Sequence, residues 1–427
     1  MSNEKNSTAV FSPKIISSLK IYSGKQLTAD LVAGLIVAII ALPLSIALAI
    51  ASGVSPEKGL YTAIVAGFVI ALFGGSRVNI SGPTAAFATI VAGIVAQYKI
   101  EGLVIATIMA GILLIVMGLC RFGSLIKYIP NTITTGFTSG IAVTILIGQL
   151  KDFFGLTFAE GTHAVETMEK LSAVIASITT LNPWALLVGV VGLAVLIVWP
   201  KISKKIPGSL IAVLVGTALV ALLNLQVNTI GDLYQISPSL PKLSVPSINW
   251  ELVKELFPSA VTIAVLAAIE SLLSCVVSDE MIGDRHHSNT ELIAQGLGNI
   301  CSGLFGGIPA TGAIARTAAN VKNGGRSPIS GIVHAVVLLL VLVLLMPYAA
   351  WIPMPIIAAV LFIVAYNMSE WRHFVGICKT APKSDILVLI LTFVLTVAFD
   401  LVVAIAVGMV VHLLFGLFKK IKSRKEA

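Results

Sequence analysis

Arg77-Val78-Asn79-Ile80-Ser81-Gly82-Pro83-Thr84-Ala85-Ala86-Phe87 separates two apolar runs, and Gly306-Gly307-Ile308-Pro309-Ala310-Thr311-Gly312-Ala313-Ile314-Ala315-Arg316 separates two others about 229 residues later. Each interruption is followed by an apolar run too short for a simple crossing, roughly 84–98 and 313–321. The reading is of two short half-helices that begin in mid-membrane, each preceded by a short extended segment. Backbone that leaves the helix inside hydrocarbon strands its N–H and C=O groups, at several kcal/mol each, unless protein or a wet cavity surrounds it. Arg77 to Ser81 and Gly306 to Ala310 are therefore expected to pair with each other. The half-helix N-termini then face one another, and each carries free amides and about half a positive charge. The point between them favours an anion.

The rest of the chain supplies a membrane setting. Apolar types make up 57% of the 427 residues and charged types 11%, with a mean hydropathy of +1.00. Soluble domains carry about 25% charged residues, so the bilayer has to act as solvent. Apolar runs predict fourteen spans, at roughly 30–51, 58–74, 84–98, 102–120, 127–150, 184–200, 207–224, 256–278, 290–305, 313–321, 328–347, 354–367, 384–399 and 401–418. Spans 1 and 8 lie about 226 residues apart, which matches the offset of the two interruptions and predicts a repeat of seven helices. Seven is odd, so the second copy is inverted, an arrangement secondary transporters use.

With the N-terminus inside, the expected cytoplasmic segments hold 21 of the 28 Lys and Arg residues, the outer ones six, and Arg316 lies within a span. That bias predicts cytoplasmic N- and C-termini and a multi-pass protein of the inner (plasma) membrane, and the polar, lysine-bearing start Met1–Gln26, without a short apolar core, predicts no cleavable signal. It also accounts for the net charge of +8 without a nucleic-acid partner. Ile15, Ile16, Leu19 and Tyr22 predict a short interfacial helix. Val165, Met168, Leu171, Ile175 and Ile178 predict a surface helix in the outer loop 151–183, whereas 225–255 reads as extended. Cys120, Cys275, Cys301 and Cys378 support neither a disulfide framework nor a zinc site, and no cofactor is called for. HExxH, GxSxG and paired intramembrane aspartates are absent, which argues against an enzyme.

Ionisable residues inside spans mark function. Glu270 lies near the centre of span 8, Arg316 one turn into the second half-helix, and Asp400 at the junction of spans 13 and 14. Arg316 reads either as a counter-ion to Glu270 or as a direct ligand, and Asp400 as a junction residue. Thr84 reads equally as a helix cap or as a ligand. The expected amide donors are those around Ala85, Ala86 and Phe87 and those of Ala313, Ile314 and Ala315.

Gly59-Leu60-Tyr61-Thr62-Ala63, Ser81-Gly82-Pro83-Thr84, Ile269-Glu270-Ser271-Leu272-Leu273-Ser274, the polar run from His287 to Asn299 (His287, Ser288, Asn289, Glu291, Gln295, Gly296, Asn299) and Ile308-Pro309 with Gly312, Arg316 and Thr317 resemble the SulP anion permeases, bacterial relatives of the solute-carrier sulfate/anion exchangers. The resemblance runs from about Leu31 to Phe418. Taken bare, Ser288 or Asn289 would only cap span 9, with Glu291 in its first turn.

The resemblance implies an all-α, uracil-permease-like 7+7 fold in a single transmembrane domain over 1–427. A core from 30–122 and 256–347 would carry the anion past a gate from 127–224 and 354–418. It implies sulfate, bicarbonate, chloride or dicarboxylate as substrate, an anion site at Thr84, Ala85, Ala86, Phe87, Ala313, Ile314, Ala315 and Arg316, and a coupling site at Glu270 and Ser274. Sodium-coupled bicarbonate members resemble this chain but carry Asp and Thr where it has Glu270 and Ser274. Span 1 departs from the family's Pro-Gln-x-x-Ala-Tyr pattern, with Leu44 after Pro43 and Leu48 in place of the aromatic. Only Lys419 to Ala427 follows Phe418, so the reading is a membrane domain without the family's STAS domain; a homodimer is an assembly the resemblance allows. The expected function is secondary anion transport coupled to a proton, with sodium-bicarbonate symport or an uncoupled exchanger or channel as rivals.

Overall fold

The computed structural model describes residues 11–20, 22–124, 130–159, 161, 164–203, 206–247, 249–399, 404, 407–412 and 414–415. Chain order runs α1 (Lys14–Leu19), α2 (Gly24–Ala51), α3 (Pro56–Phe73), β1 (Ser81–Gly82), a single turn of 3-10 helix (Ala85–Phe87) leading into α4 (Ala88–Leu119), then α5 (Asn131–Phe154), α6 (Thr167–Ala176), α7 (Pro183–Ile202), α8 (Gly208–Leu223) and α9 (Ile230–Leu233). The second half continues with α10 (Trp250–Ile282), α11 (Ser288–Leu304), β2 (Thr311–Gly312), α12 (Ile314–Lys322), α13 (Ile329–Leu345), α14 (Met354–Ser369), α15 (Trp371–Thr380) and α16 (Lys383–Ala398).

Among the described residues, eight helices are long and apolar enough to cross a membrane. Helices stand where thirteen of the expected spans were placed, but not all qualify by length. α8, α11, α12 and α16 are shorter than 18 residues, and α13 and α14 reach that length only with the helical turns that continue them, as Ile329–Trp351 and Met354–Thr380. Spans 3 and 4 join as α4, bent at Lys99 with φ 57° and ψ −165°, which is where the sequence reading divided them. Span 14 and Asp400 lie largely or wholly outside the described residues. The outer helices present Leu222 (83% exposed), Leu344 (65%) and Leu214 (57%) to their surroundings, apolar surface of the kind a bilayer solvates.

Local rules explain the helix starts. Ser23 accepts a hydrogen bond from the amide of Gln26, and Asn182, followed by Pro183, accepts from the amides of Trp184 and Ala185. Asn249 caps α10 through the amide of Glu251. The predicted interfacial helix is α1, with Ile16 and Leu19 exposed. The predicted surface helix is α6, begun by a Glu166/Glu169 capping box; its Met168 and Ile175 point outward rather than into the protein. Helix α15 was not expected. Trp371, Phe374, Val375 and Cys378 recur at helical spacing, but Arg372, His373 and Lys379 interrupt the apolar run on which span detection depends.

Helix partnerships come in interchanged pairs. α3 packs on α13 and α11 on α4; α2 packs on α13 and α10 on α4; α14 packs on α7 and α16 on α5. β1 with β2, α3 with α11 and α5 with α14 complete the set. One group gathers α2–α4 and α10–α13. The other gathers α5, α7, α8, α14 and α16, and part of its apolar core (Phe153, Val188, Leu196, Ala212, Ile356, Ala359) forms a cluster of its own. Within the first group α4 and α11 meet backbone to backbone. A Cβ on Gly111 would lie 2.6 Å from the carbonyl oxygen of Gly296, and one on Gly296 2.5 Å from that of Gly111.

Candidate functional site

The two interruptions do pair, antiparallel, with Ser81 opposite Gly312 and Gly82 opposite Thr311. The ladder keeps Ser81 of the first expected stretch and otherwise lies one or two residues beyond the two stretches, at Gly82 and at Thr311–Gly312. Because the strands are antiparallel, the two half-helices leave in opposite directions, each with its N-terminus at the ladder. Neither start is capped by a side chain.

The donor set is smaller than the sequence suggested. The Ala313 amide donates to the Ile80 carbonyl at 2.8 Å, extending the ladder, and the Phe87 amide turns back to the Thr84 carbonyl at 3.4 Å. Contrary to expectation, neither Phe87 nor Ala313 offers a free amide, because backbone pairing consumes both groups. The amides of Ala85 and Ala86 remain on one side, and those of Ile314, Ala315 and Arg316 on the other.

Thr84 does not cap its helix. Its hydroxyl donates to Glu270 Oε2 at 3.1 Å. Arg316, only 2% exposed, reaches across to donate through Nη2 to the Pro83 carbonyl, and its Nε and Nη1 have no hydrogen-bond partner. The ion pairs among the described residues are Lys14–Asp284, Arg77–Asp284 and His286–Asp279, so Glu270 and Arg316 do not pair directly. In this conformation the two charges act on each other only at longer range. Gly82 makes the arrangement possible, since a Cβ there would lie 2.6 Å from Arg316 Nη1.

Helix α10 explains the spacing of its motif. Glu270 faces Thr84; Ser271 Oγ meets Thr311 Oγ1 at 2.7 Å and accepts from the Gly312 amide at 3.0 Å; Ser274 Oγ donates to Asn79 Oδ1 at 2.7 Å. Ser274 also bonds Thr317 Oγ1 at 3.1 Å and is fully buried. The structure therefore places Ser274 beneath the ladder in a closed network, without a hydrogen bond to Glu270.

Helix α11 carries residues whose role the sequence reading missed. Glu291 accepts from the amides of Gly75 (2.9 Å) and Ser76 (3.2 Å), from Asn79 Nδ2 (2.7 Å) and from Gln295 Nε2 (3.0 Å). Gln295 also donates to Ser81 Oγ, and Asn299 both donates to the Ala310 carbonyl and accepts from its amide. Glu291, Gln295 and Asn299 stand one turn apart on one face, a polar stripe that satisfies the backbone leading into both half-helices. The N-cap is His287, whereas Ser288 bonds His286 and Asn289 accepts from the Gly123 amide. The signal was the four-residue spacing of three polar side chains in a helix that is otherwise apolar or small.

Comparison with known proteins decides the family. Residues 27–392 match the Sulfate permease family. The chain belongs to that family. It is 44% identical to YvdB of Bacillus subtilis (strain 168) over 92% of this chain and 74% of YvdB, and 34% identical to the bicarbonate transporter BicA of Picosynechococcus sp. over 91% and 69%. The solved transmembrane domain of a cyanobacterial BicA superposes with a TM-score of 0.81 at 31% identity, covering 90% of this chain and 98% of that one. SLC26A9 shares the fold, at a TM-score of 0.87 and 21% identity over 95% of this chain and 68% of that one. This sulfate permease family chain is thus a multi-pass membrane anion transporter, and not an enzyme.

Proposed function

We propose that the chain is a secondary active transporter that holds a small anion between its two half-helix starts and couples its passage to a proton. The observation that carries this reading is the pair of uncapped helix N-termini at one strand ladder, with a buried guanidinium whose Nε and Nη1 are unpaired beside them. Five backbone amides and one cation, inside a low-dielectric interior, form a site for negative charge. The substrate class is sulfate, bicarbonate or a dicarboxylate; relatives of the chain include bicarbonate transporters, and YvdB bears the name of a sulfate transporter.

Glu270 is the coupling group. A bound anion attracts the free nitrogens of Arg316 and places a like charge near the carboxylate, which then takes a proton. Release of the anion returns it. The interchanged helix partnerships support a 7+7 inverted repeat of fourteen spans, with α2–α4 and α10–α13 as the core that slides against the gate of α5, α7, α8, α14 and α16.

Reconstituted protein, offered labelled sulfate, hydrogencarbonate, succinate and chloride at two external pH values and fixed anion concentration, tests the reading. Uptake rises as external pH falls, and Ala315→Trp abolishes it by filling the gap between the helix starts. Arg316→Ala weakens divalent anions more than monovalent ones, because a point charge acts on the ligand's whole charge. Glu270→Gln still binds anion but loses accumulation driven by the proton gradient. Full pH-driven accumulation in Glu270→Gln, or flux that needs sodium, overturns the coupling assignment.

A further inference from the structure

A cavity of about 280 Å³ lies between α4 and α5 beside α6, lined among others by Ala88, Thr89, Gln149, Asp152, Lys170 and Tyr234. Ala88 opens α4 directly after the turn Ala85–Phe87, so the cavity abuts the first half-helix. Lys170 and Tyr234 belong to the loops that the distribution of Lys and Arg places outside.

The lining is chemically unusual. Lys170 and Asp152 bring opposite charges to one cavity, yet neither forms an ion pair with the other or with any described residue. Lys170 is half-buried, and loss of water holds its ammonium below the ordinary lysine range. The Tyr234 phenol, pushed up to about 12 by burial and then by the charge of Asp152, stays a donor. Gln149 is 5% exposed, its Oε1 is buried without a partner, and its Nε2 makes no hydrogen bond to a described residue. Lys170 and Tyr234 thus offer donors, Asp152 a carboxylate and Gln149 both a donor and an orphaned acceptor around a half-open space in which they do not satisfy each other, and polar groups that lose water without a partner are costly.

A ligand for this lining needs a negative oxygen for Lys170, Tyr234 and the Gln149 Nε2, and an O–H for Asp152 or the Gln149 Oε1. Sulfate answers the first requirement but is repelled by Asp152. Chloride has no donor. We infer that this cavity is an outer binding site for a monovalent oxyanion that carries one O–H, the class hydrogencarbonate represents, and that Asp152 discriminates there against dianions. The inference rests on the transport reading above and names the substrate class it admits from outside.

The test uses the full chain in proteoliposomes, checked for monodisperse elution before reconstitution. Lys170→Gln raises the external hydrogencarbonate concentration needed for half-maximal uptake about fivefold, and Asp152→Asn strengthens inhibition of that uptake by sulfate about fivefold, the scale of one partly solvated charge interaction. In a background lacking the four native cysteines, Ala164→Cys at the cavity wall reacts with a membrane-impermeant thiol reagent more slowly in hydrogencarbonate than in sulfate. That protection persists when Ala315→Trp is added, because the two sites are separate. Unchanged uptake constants in both variants, or equal protection by the two anions, overturns the inference; so does a sodium dependence lost in Asp152→Asn, which marks a cation site. Failure of wild-type transport with protection intact sinks the transport reading and leaves the cavity assignment standing.

Discussion

Glu291 shows how much of this site rests on one side chain. Its two oxygens accept from four donors that come from three places in the chain, all buried. Glu291→Gln turns an acceptor into an N–H2 group against one pair of them, so it costs about 2–5 kcal/mol, the penalty of stranding buried donors. A lower thermal unfolding midpoint in detergent checks it. Gly82→Ala acts differently: the new Cβ displaces Arg316, so anion binding falls more than stability does, measurable by comparing substrate-dependent thermal shifts with the ligand-free midpoint. Glu270 and Arg316 were legible because a charge in an apolar run stands out. Glu291 was not, since its partners Gly75, Ser76 and Asn79 lie more than 200 positions away and nothing local distinguishes it from a first-turn acid.

At the scale of elements, α4 and α11 depend on two glycines whose backbones touch. Gly296→Ala has no room against the Gly111 carbonyl and costs about 1–3 kcal/mol by forcing the helices apart. The expected readout is a reduced unfolding midpoint with the fold retained, and an unchanged midpoint would show that α4 moves freely. The strand ladder was foreseen from an energetic requirement, the need to occupy backbone groups in mid-membrane, but its register was not. Register follows from which residues Ser271 and Asn299 hold in place, and those contacts exist only after α10 and α11 have packed. Helix α15 escaped because an amphipathic helix of ten residues has no long apolar run.

For the whole molecule, the distribution of Lys and Arg predicts which face is cytoplasmic. Single cysteines at Arg77 and Arg372 should resist an impermeant label added outside, and those at Lys58 and Lys170 should react, in a background without the native cysteines. Strong outside labelling at 77 and 372 inverts the assignment. On the proposed motion of core against gate, a cross-link between α5 and α4 beside the cavity should stop transport while leaving anion protection of Ala164→Cys intact.

The amino-acid order by itself determined that the chain lives in a bilayer, roughly where most of its long helices lie, that two of them begin at broken backbone, and that Glu270, Thr84 and Arg316 belong near the break. Those are consequences of composition, breakers and isolated charge, each readable within one turn or one span. Tertiary structure decided which amides stay free, that Thr84 bonds Glu270 instead of capping its helix, that Ser274 is sealed beneath the ladder, and that Arg316 turns to the Pro83 carbonyl and not to Glu270. The physical reason is that a buried polar group takes its partner from whatever packs beside it, and here those partners lie in the other half of the sequence.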